Sequence, residues 1–301
     1  MTDVSVSAAL PASKAHSHRK IVSLRHWALV GLGWLLRYVL VASGALLFMV
    51  PFIWMLSTSL KVQSQVFTWP PQWIPRPVMW ENYARAWSQF PTPTFFRNTI
   101  TVTILSTLGQ LVANSLVAFG FARLRFRGRN LLFMLVLSTM MLPDQVTLIP
   151  LFAIFSKLGW LNTFRPLIVP RWLGNAFYIF LLRQFYMTVP LELDDATRID
   201  GGSYFTIYSR IVLPLAKPVL GVVAMFCITN YWTEFMSPLI YLNTPDKFTI
   251  AIGLRMFQSS LGVAKIHWMM AISLMSILPL IIIFFLGQRF FVQGIMIQGM
   301  K

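Results

Sequence analysis

Asp195, Ala196, Thr197, Asp200 and Gly201, followed by Ile211, Leu213 and Pro214, stand in a polar island between two long apolar stretches. Pro190 precedes Glu192, Asp194 and Asp195, and acids of this kind favour the positive end of a new helix. Asp194 and Arg198 fall at i, i+4, the spacing of a surface ion pair. Gly201-Gly202 supplies the backbone freedom for a helix C-terminus and a change of direction, and Ser203 can cap a second helix. In that helix Tyr204, Ile207, Tyr208 and Ile211 share one face, and Pro214 ends or kinks it. The spacing predicts helix, Gly turn, helix, continuous with the apolar segments on either side. About thirty residues cannot bury a core of their own, so the island is read as a docking lever.

A second group lies in apolar sequence. Cys227, Asn230, Glu234, Ser237 and Tyr241 recur at three and four, which predicts one polar stripe along a helix. A carboxylate within a membrane is costly and faces a cavity or a partner, so Glu234 is either functional or neutralised in a helix interface. If the stripe lines a path, Asn230, Glu234 and Ser237 suit a neutral polyhydroxylated ligand, with Tyr231 and Trp232 stacking on its ring. Thr99, Thr103, Ser106, Gln110 and Asn114 form another stripe, for which helix packing is the favoured reading.

Other chemistry finds little support. No G-x-x-x-x-G-K loop, no H-E-x-x-H and no Ser, His and acid set suited to one site is visible, so the chain is not expected to bind or hydrolyse ATP itself. A metal site on His16, His18 and His26 lacks Cys or acidic partners. The lone Cys227 cannot make an intramolecular disulfide.

With 56% hydrophobic and only 11% charged residues among 301, the chain is far more apolar than a soluble domain and reads as an all-α integral membrane protein. Its 25 Lys and Arg against nine acids could suggest nucleic acid, but they cluster between apolar runs, the pattern of topology signals and anionic lipid. Windows of roughly 20 apolar residues predict six spans, at 38–60, 98–122, 126–146, 166–187, 218–241 and 266–288. Arg171 and Arg183 are placed toward opposite ends of the fourth, snorkelling to the interfaces. The Arg123, Arg125, Arg127, Arg129 run has no neighbouring acid and votes for the cytoplasm, which puts both termini and the island on that side. Residues 1–37 are read as a retained cytoplasmic tail with an interfacial amphipathic helix at 22–37, and residues 38–301 as the membrane domain with its cytoplasmic loop at 190–217.

The run Asp195-Ala196-Thr197-Arg198-Ile199-Asp200-Gly201, then Ile211-Val212-Leu213-Pro214, resembles the Glu-Ala-Ala, Asp-Gly, Ile-x-Leu-Pro signature of permease subunits of binding-protein-dependent ABC importers. Ser57 to Lys61, Glu81-Asn82-Tyr83, Phe96 to Thr99, Met141 to Pro150, Phe180 to Phe185, Trp232-Thr233-Glu234-Phe235 and Pro238-Leu239 resemble landmarks of the carbohydrate importers related to the maltose permease subunits. The likeness covers residues 38–300 and is greatest to the smaller, six-span partner of the permease pair. Asp195 and Thr197 depart from the usual Glu and second Ala, and Thr233 stands where Asn is commoner. The resemblance implies a cytoplasmic coupling helix between the fourth and fifth spans that sits in a cleft of an ATPase subunit, with Gly201 bringing the backbone close to it. It further implies a second homologous permease subunit, two ATPase subunits carrying ATP and Mg, an extracytoplasmic solute-binding protein, and a bacterial-type inner membrane. The cargo would be a sugar, a polyol or glycerol phosphate.

The competing reading is a secondary transporter of a small polar solute driven by an ion gradient. Six spans with one mid-membrane carboxylate offer it little coupling machinery. Uptake that survives ATP depletion while the proton gradient is kept would favour it.

Overall fold

The computed structural model describes residues 24–259 and 265–298; the polar tail with His16 and His18 lies outside them. In helix α1, Leu24–Ser59, the stretch Gly31–Ser59 is long and apolar, as suits a helix in lipid. The helix continues unbroken through residue 37, and residues 22 and 23 of the expected interfacial stretch lie outside the described residues. Up to Ile53 it forms one compact unit, and the chain from Trp54 onward forms another.

Within the second unit, α2 (Glu81–Gln89) leads into the long α3 (Thr92–Arg123), whose Pro at the first turn is tolerated because those N–H groups have no intrahelical partner. Helices α4 (Arg129–Ser138) and α5 (Asp144–Lys157) follow, then the single turn α6 (Arg165–Ile168) and α7 (Ala176–Thr188). The island contains α8 (Glu192–Ile199), α9 (Tyr204–Thr206), a π-helical stretch Ile207–Val212 and α10 (Leu213–Leu215). Helices α11 (Lys217–Thr233), α12 (Met236–Tyr241), α13 (Ile250–Ser259) and α14 (Ile266–Gln298) complete the described chain. The architecture is all-helical, as expected.

Among the described residues, three helices are long and apolar enough to cross a membrane: Gly31–Ser59, Thr92–Arg123 and Ile266–Gln288. Two bent pairs raise the number to five if each is one span: Arg129–Met141 with Gln145–Lys157, turned by 99°, and Tyr204–Leu215 with Lys217–Thr233, turned by 75°. Three of the six expected spans are therefore not single helices, and each break has a local cause. In the third, Pro143 holds Leu142 in the extended region (φ −83°, ψ 116°), so helix stops near Met141 instead of running to 146. In the fourth, Val169–Leu173 is a 3-10 turn, Gly174 takes φ +96°, and the extended Asn175 caps a new helix by accepting from the Phe177 and Tyr178 N–H groups. In the fifth, continuation through Glu234 would drive the Pro238 ring against the Glu234 carbonyl, and Glu234 turns extended at ψ 127°. Cys227 and Asn230 thus share α11, while Ser237 and Tyr241 belong to α12, so the stripe read through Glu234 is divided between two helices.

α3 is the axis of the second unit. One core cluster joins Ala118 and Phe119 of α3 to Tyr178, Leu182 and Tyr186 of α7, to Ile207, Tyr208 and Val212 of the π-helix, and to Val219 and Val223 of α11. Another gathers Phe95 with Ile250, Phe257, Trp268 and Ile272, and a third packs Val102 with Phe155, Leu167 and Tyr241.

Candidate functional site

The island folds as helix, glycine turn and helix. α8 ends in a Schellman turn in which the Gly201 N–H donates to Arg198 O (2.9 Å) and the Gly202 N–H to Thr197 O (2.8 Å), with Gly201 at φ +78°. Ser203 caps the next helix in a reciprocal box with Thr206. A Cβ on Gly201 would meet nothing within 4 Å, so its open face is bare, whereas one on Gly202 would lie 2.8 Å from Thr197 O. Thr197, Asp200, Gly201 and Ile211 share a shallow depression of about 400 Å³ with Gly202, Thr206 and Arg210. Asp195 and Ala196 are exposed on α8. Leu213 instead packs against the core, and Pro214 lies just before the 75° bend, so the island is not a straight extension of the following segment.

The π winding changes which side chains are buried. Ile207, Tyr208 and Val212 face the core, while Tyr204 is exposed, so the face expected at Tyr204, Ile207, Tyr208 and Ile211 is displaced. The surface ion pair expected between Asp194 and Arg198 is also rearranged. Arg198 lies 3.8 Å from Asp195 and over the Tyr204 ring, while Asp194 is buried with its Oδ2 3.6 Å from Arg123 Nη1. Burial pushes the Asp194 carboxyl above the usual range, with Arg123 pulling against that shift. Ile199, 87% exposed at the end of α8, is an apolar side chain that helix patterning did not single out.

At the Glu234 break, Arg171 Nη2 approaches Glu234 Oε2 at 3.2 Å and Oε1 at 3.5 Å, and its guanidinium lies 5.1 Å from the Tyr231 ring centre. The Ser237 hydroxyl donates to Glu234, and the Asn230 amide donates to the Tyr178 hydroxyl at 3.1 Å. Arg171 is therefore a member of this group. Arg183 likewise lies over the Phe133 ring and donates to Phe121 O. Trp232 is separate from the cluster: it is buried, and its indole N–H donates to Ser276 O on α14. The sequence placed Glu234 but offered no way to find its partner, 63 residues away in a Pro-rich turn.

The α3 stripe is packing, as favoured. Ser106 donates to Leu167 O, Thr99 accepts from the Ile250 N–H, and Asn114 accepts from the Asn175 N–H while donating to Gln110. Ser115, one residue further, contacts the hydroxyls of both Tyr186 (2.7 Å) and Tyr208 (2.9 Å).

Helices long and apolar enough to cross a membrane, a buried polar seam and an exposed helix–glycine–helix turn describe a polytopic membrane protein. Comparison with known proteins makes this specific. Residues 110–297 match the family described as binding-protein-dependent transport system inner membrane component. The chain is 35% identical over 208 residues to the arabinooligosaccharides transport system permease protein AraQ of Halalkalibacterium halodurans, covering 69% of this chain and 74% of that one. It is 30% identical over 267 residues to the sn-glycerol-3-phosphate transport system permease protein UgpE of Yersinia pestis bv. Antiqua, covering 86% and 94%. Its fold superposes with a TM-score of 0.77 at 24% identity on a bacterial ABC transporter involved in the import of the acidic polysaccharide alginate, covering 86% of this chain and 96% of that one. The chain belongs to the inner-membrane permease components of binding-protein-dependent ABC importers. It is a transport subunit of the membrane and not an enzyme.

Proposed function

We propose that this permease moves a sugar or related polyol, delivered by an extracytoplasmic solute-binding protein, across the bacterial inner membrane at the expense of ATP. It works beside a second homologous permease subunit and two ATPase subunits, which carry the ATP and Mg. The relatives that handle arabinooligosaccharides and glycerol phosphate support this class of cargo. Residues 1–37 contribute a cytoplasmic tail and the start of α1, and residues 38–301 the transport domain. Six crossings result if residues 165–188 make a further, broken passage, with both termini and the 190–217 loop in the cytoplasm.

The observation that carries the reading is the exposed turn formed by Asp195, Ala196, Thr197, Asp200 and Gly201, with Ile211 lining the same depression. It offers a partner a bare backbone and a rigid cap. Leu213 and Pro214 behind it join the turn to the core and to the bend before α11. Asn230, Tyr231, Glu234 and Ser237, with Arg171, form the candidate substrate path; Trp232 holds α11 to α14 behind it. A carboxylate, a guanidinium and an aromatic face together suit a polyhydroxylated ligand.

Affinity capture of the full chain from its native membrane, with mass spectrometry of what accompanies it, tests the assembly: an ATPase, a second permease and a binding protein are expected. Uptake should collapse when ATP is depleted while the proton gradient is held. Uptake that persists there overturns the reading.

A further inference from the structure

Gly201, at φ +78°, turns the chain at one end of α8, and Pro190, which has no N–H to continue the run of α7, interrupts it at the other. A helix between two such points could pivot on its own when pushed. One side chain stands against that. Arg123, the last residue of α3, reaches Asp194 in the first turn of α8 through Nη1 at 3.6 Å and donates from Nη2 to Val189 O, just beyond α7, at 2.8 Å. Both charged side chains are almost wholly buried, at 2% and 5% exposure, so the attraction between them is little screened by water. The pair is not closed: 3.6 Å is beyond hydrogen-bond reach, and Asp194 Oδ1 and Arg123 Nε have no hydrogen-bond partner among the described residues. Two buried opposite charges resist separation, because each would be left uncompensated in a dry place.

We propose that Arg123 is the positioning residue that locks α8 to the base of α3, so that the docking helix and the second membrane segment move as one body. The proposal rests on the reading of α8 as the ATPase-docking helix. It gives the Arg123, Arg125, Arg127, Arg129 run an internal division of labour. Arg123 is buried in the joint, whereas Arg125 and Arg127 remain at the surface. Ser115, between the Tyr186 and Tyr208 hydroxyls, fixes the π-helix to α3 on the far side of the glycine turn, but it does not hold α8 itself.

The test is a distance measurement on the full chain assembled with its partner subunits. Spin labels are attached to Ile104→Cys on α3 and Leu193→Cys on α8, both exposed, in a Cys227→Ala background that removes the only native cysteine. About 28 Å of helix separates Ile104 from Arg123, so the pair of labels reads the joint end to end. With Arg123 and Asp194 intact, the distance is expected to be the same in the nucleotide-free and the ATP–vanadate-trapped complex. In the Arg123→Met/Asp194→Leu variant the peak is expected to shift between those states. Replacing a buried ion pair by apolar residues of similar size is often neutral for stability, so this variant should accumulate and melt like the parent. A distance that changes with the native pair present, or that stays fixed without it, overturns the proposal. So does a double variant that fails to accumulate, since the pair then serves folding alone. If the parent chain captures no ATPase at all, the functional reading falls as well, a result distinguishable from a wrong distance in a properly captured complex.

Discussion

Arg171 and Glu234 meet at 3.2 Å where two helix breaks face each other, the 3-10 turn before Gly174 and the extended residue between α11 and α12. Each charge lies within apolar sequence and is the other's partner, so removing one leaves the second uncompensated. Both remain partly exposed, at 33% and 25%, which moderates the cost and leaves room for a hydroxylated ligand. Arg171→Leu and Glu234→Leu should each lower uptake by roughly tenfold or more, equivalent to about 1.4 kcal/mol. The exchanged pair Arg171→Glu/Glu234→Arg should recover protein level but not transport. Quantitative uptake alongside immunodetection of the membrane fraction checks both, and normal uptake in either single variant removes the cluster from the path.

Gly201 sits at φ +78° with open space where its Cβ would be. A side chain there costs about 1–2 kcal/mol of local backbone energy but collides with nothing in the chain itself. Gly201→Val should therefore leave the permease in the membrane at close to the parent level while abolishing ATP-driven uptake. Gly202→Val should lower the protein level too, because its Cβ meets Thr197 O. Membrane immunoblots and uptake assays separate the two effects.

Legibility in the sequence tracks the range of the forces involved. The Schellman turn and the Ser203 cap involve backbone within a few residues, so Gly201, Gly202 and Ser203 announced them. The helix breaks were half legible: Pro143, Gly174 and Pro238 are all visible, but apolar composition outweighed them when spans were sought by length. The partners of Asp194 and Glu234 could not be found. Arg198 looked like the partner of Asp194 because it is one turn away, whereas Arg123 is brought in by the packing of α3 on α7. The π winding of Ile207–Val212 shifted the buried face because five-residue spacing brings Ile207 and Val212 to one side.

Two glycines of α3 should behave in opposite ways. On Gly109 a Cβ would fall 2.2 Å from the Trp172 ring, whose indole N–H donates to Leu105 O, whereas on Gly120 it would meet nothing within 4 Å. Gly109→Ala is expected to displace Trp172 and destabilise by about 1–3 kcal/mol. Gly120→Ala should be neutral or stabilising by up to about 1 kcal/mol through helix propensity alone. Thermal melting of the detergent-purified chain compares them directly, and equal melting temperatures would show that Trp172 does not stack on α3.

Ile199 closes α8 with its side chain 87% exposed, beside the bare backbone of Gly201. A large apolar side chain held out at the end of a rigid, capped helix is the kind of anchor that fills a pocket on a partner, and such anchors carry much of an interface's affinity. Because it is so exposed, replacing it should change the stability of the isolated chain by no more than about 0.5 kcal/mol. Ile199→Asp should therefore melt like the parent yet retain roughly a tenth or less of the ATPase in a pull-down, consistent with a loss of more than about 1.4 kcal/mol. Unchanged retention of the ATPase would move the docking surface off this end of α8 and onto the depression between Thr197 and Ile211.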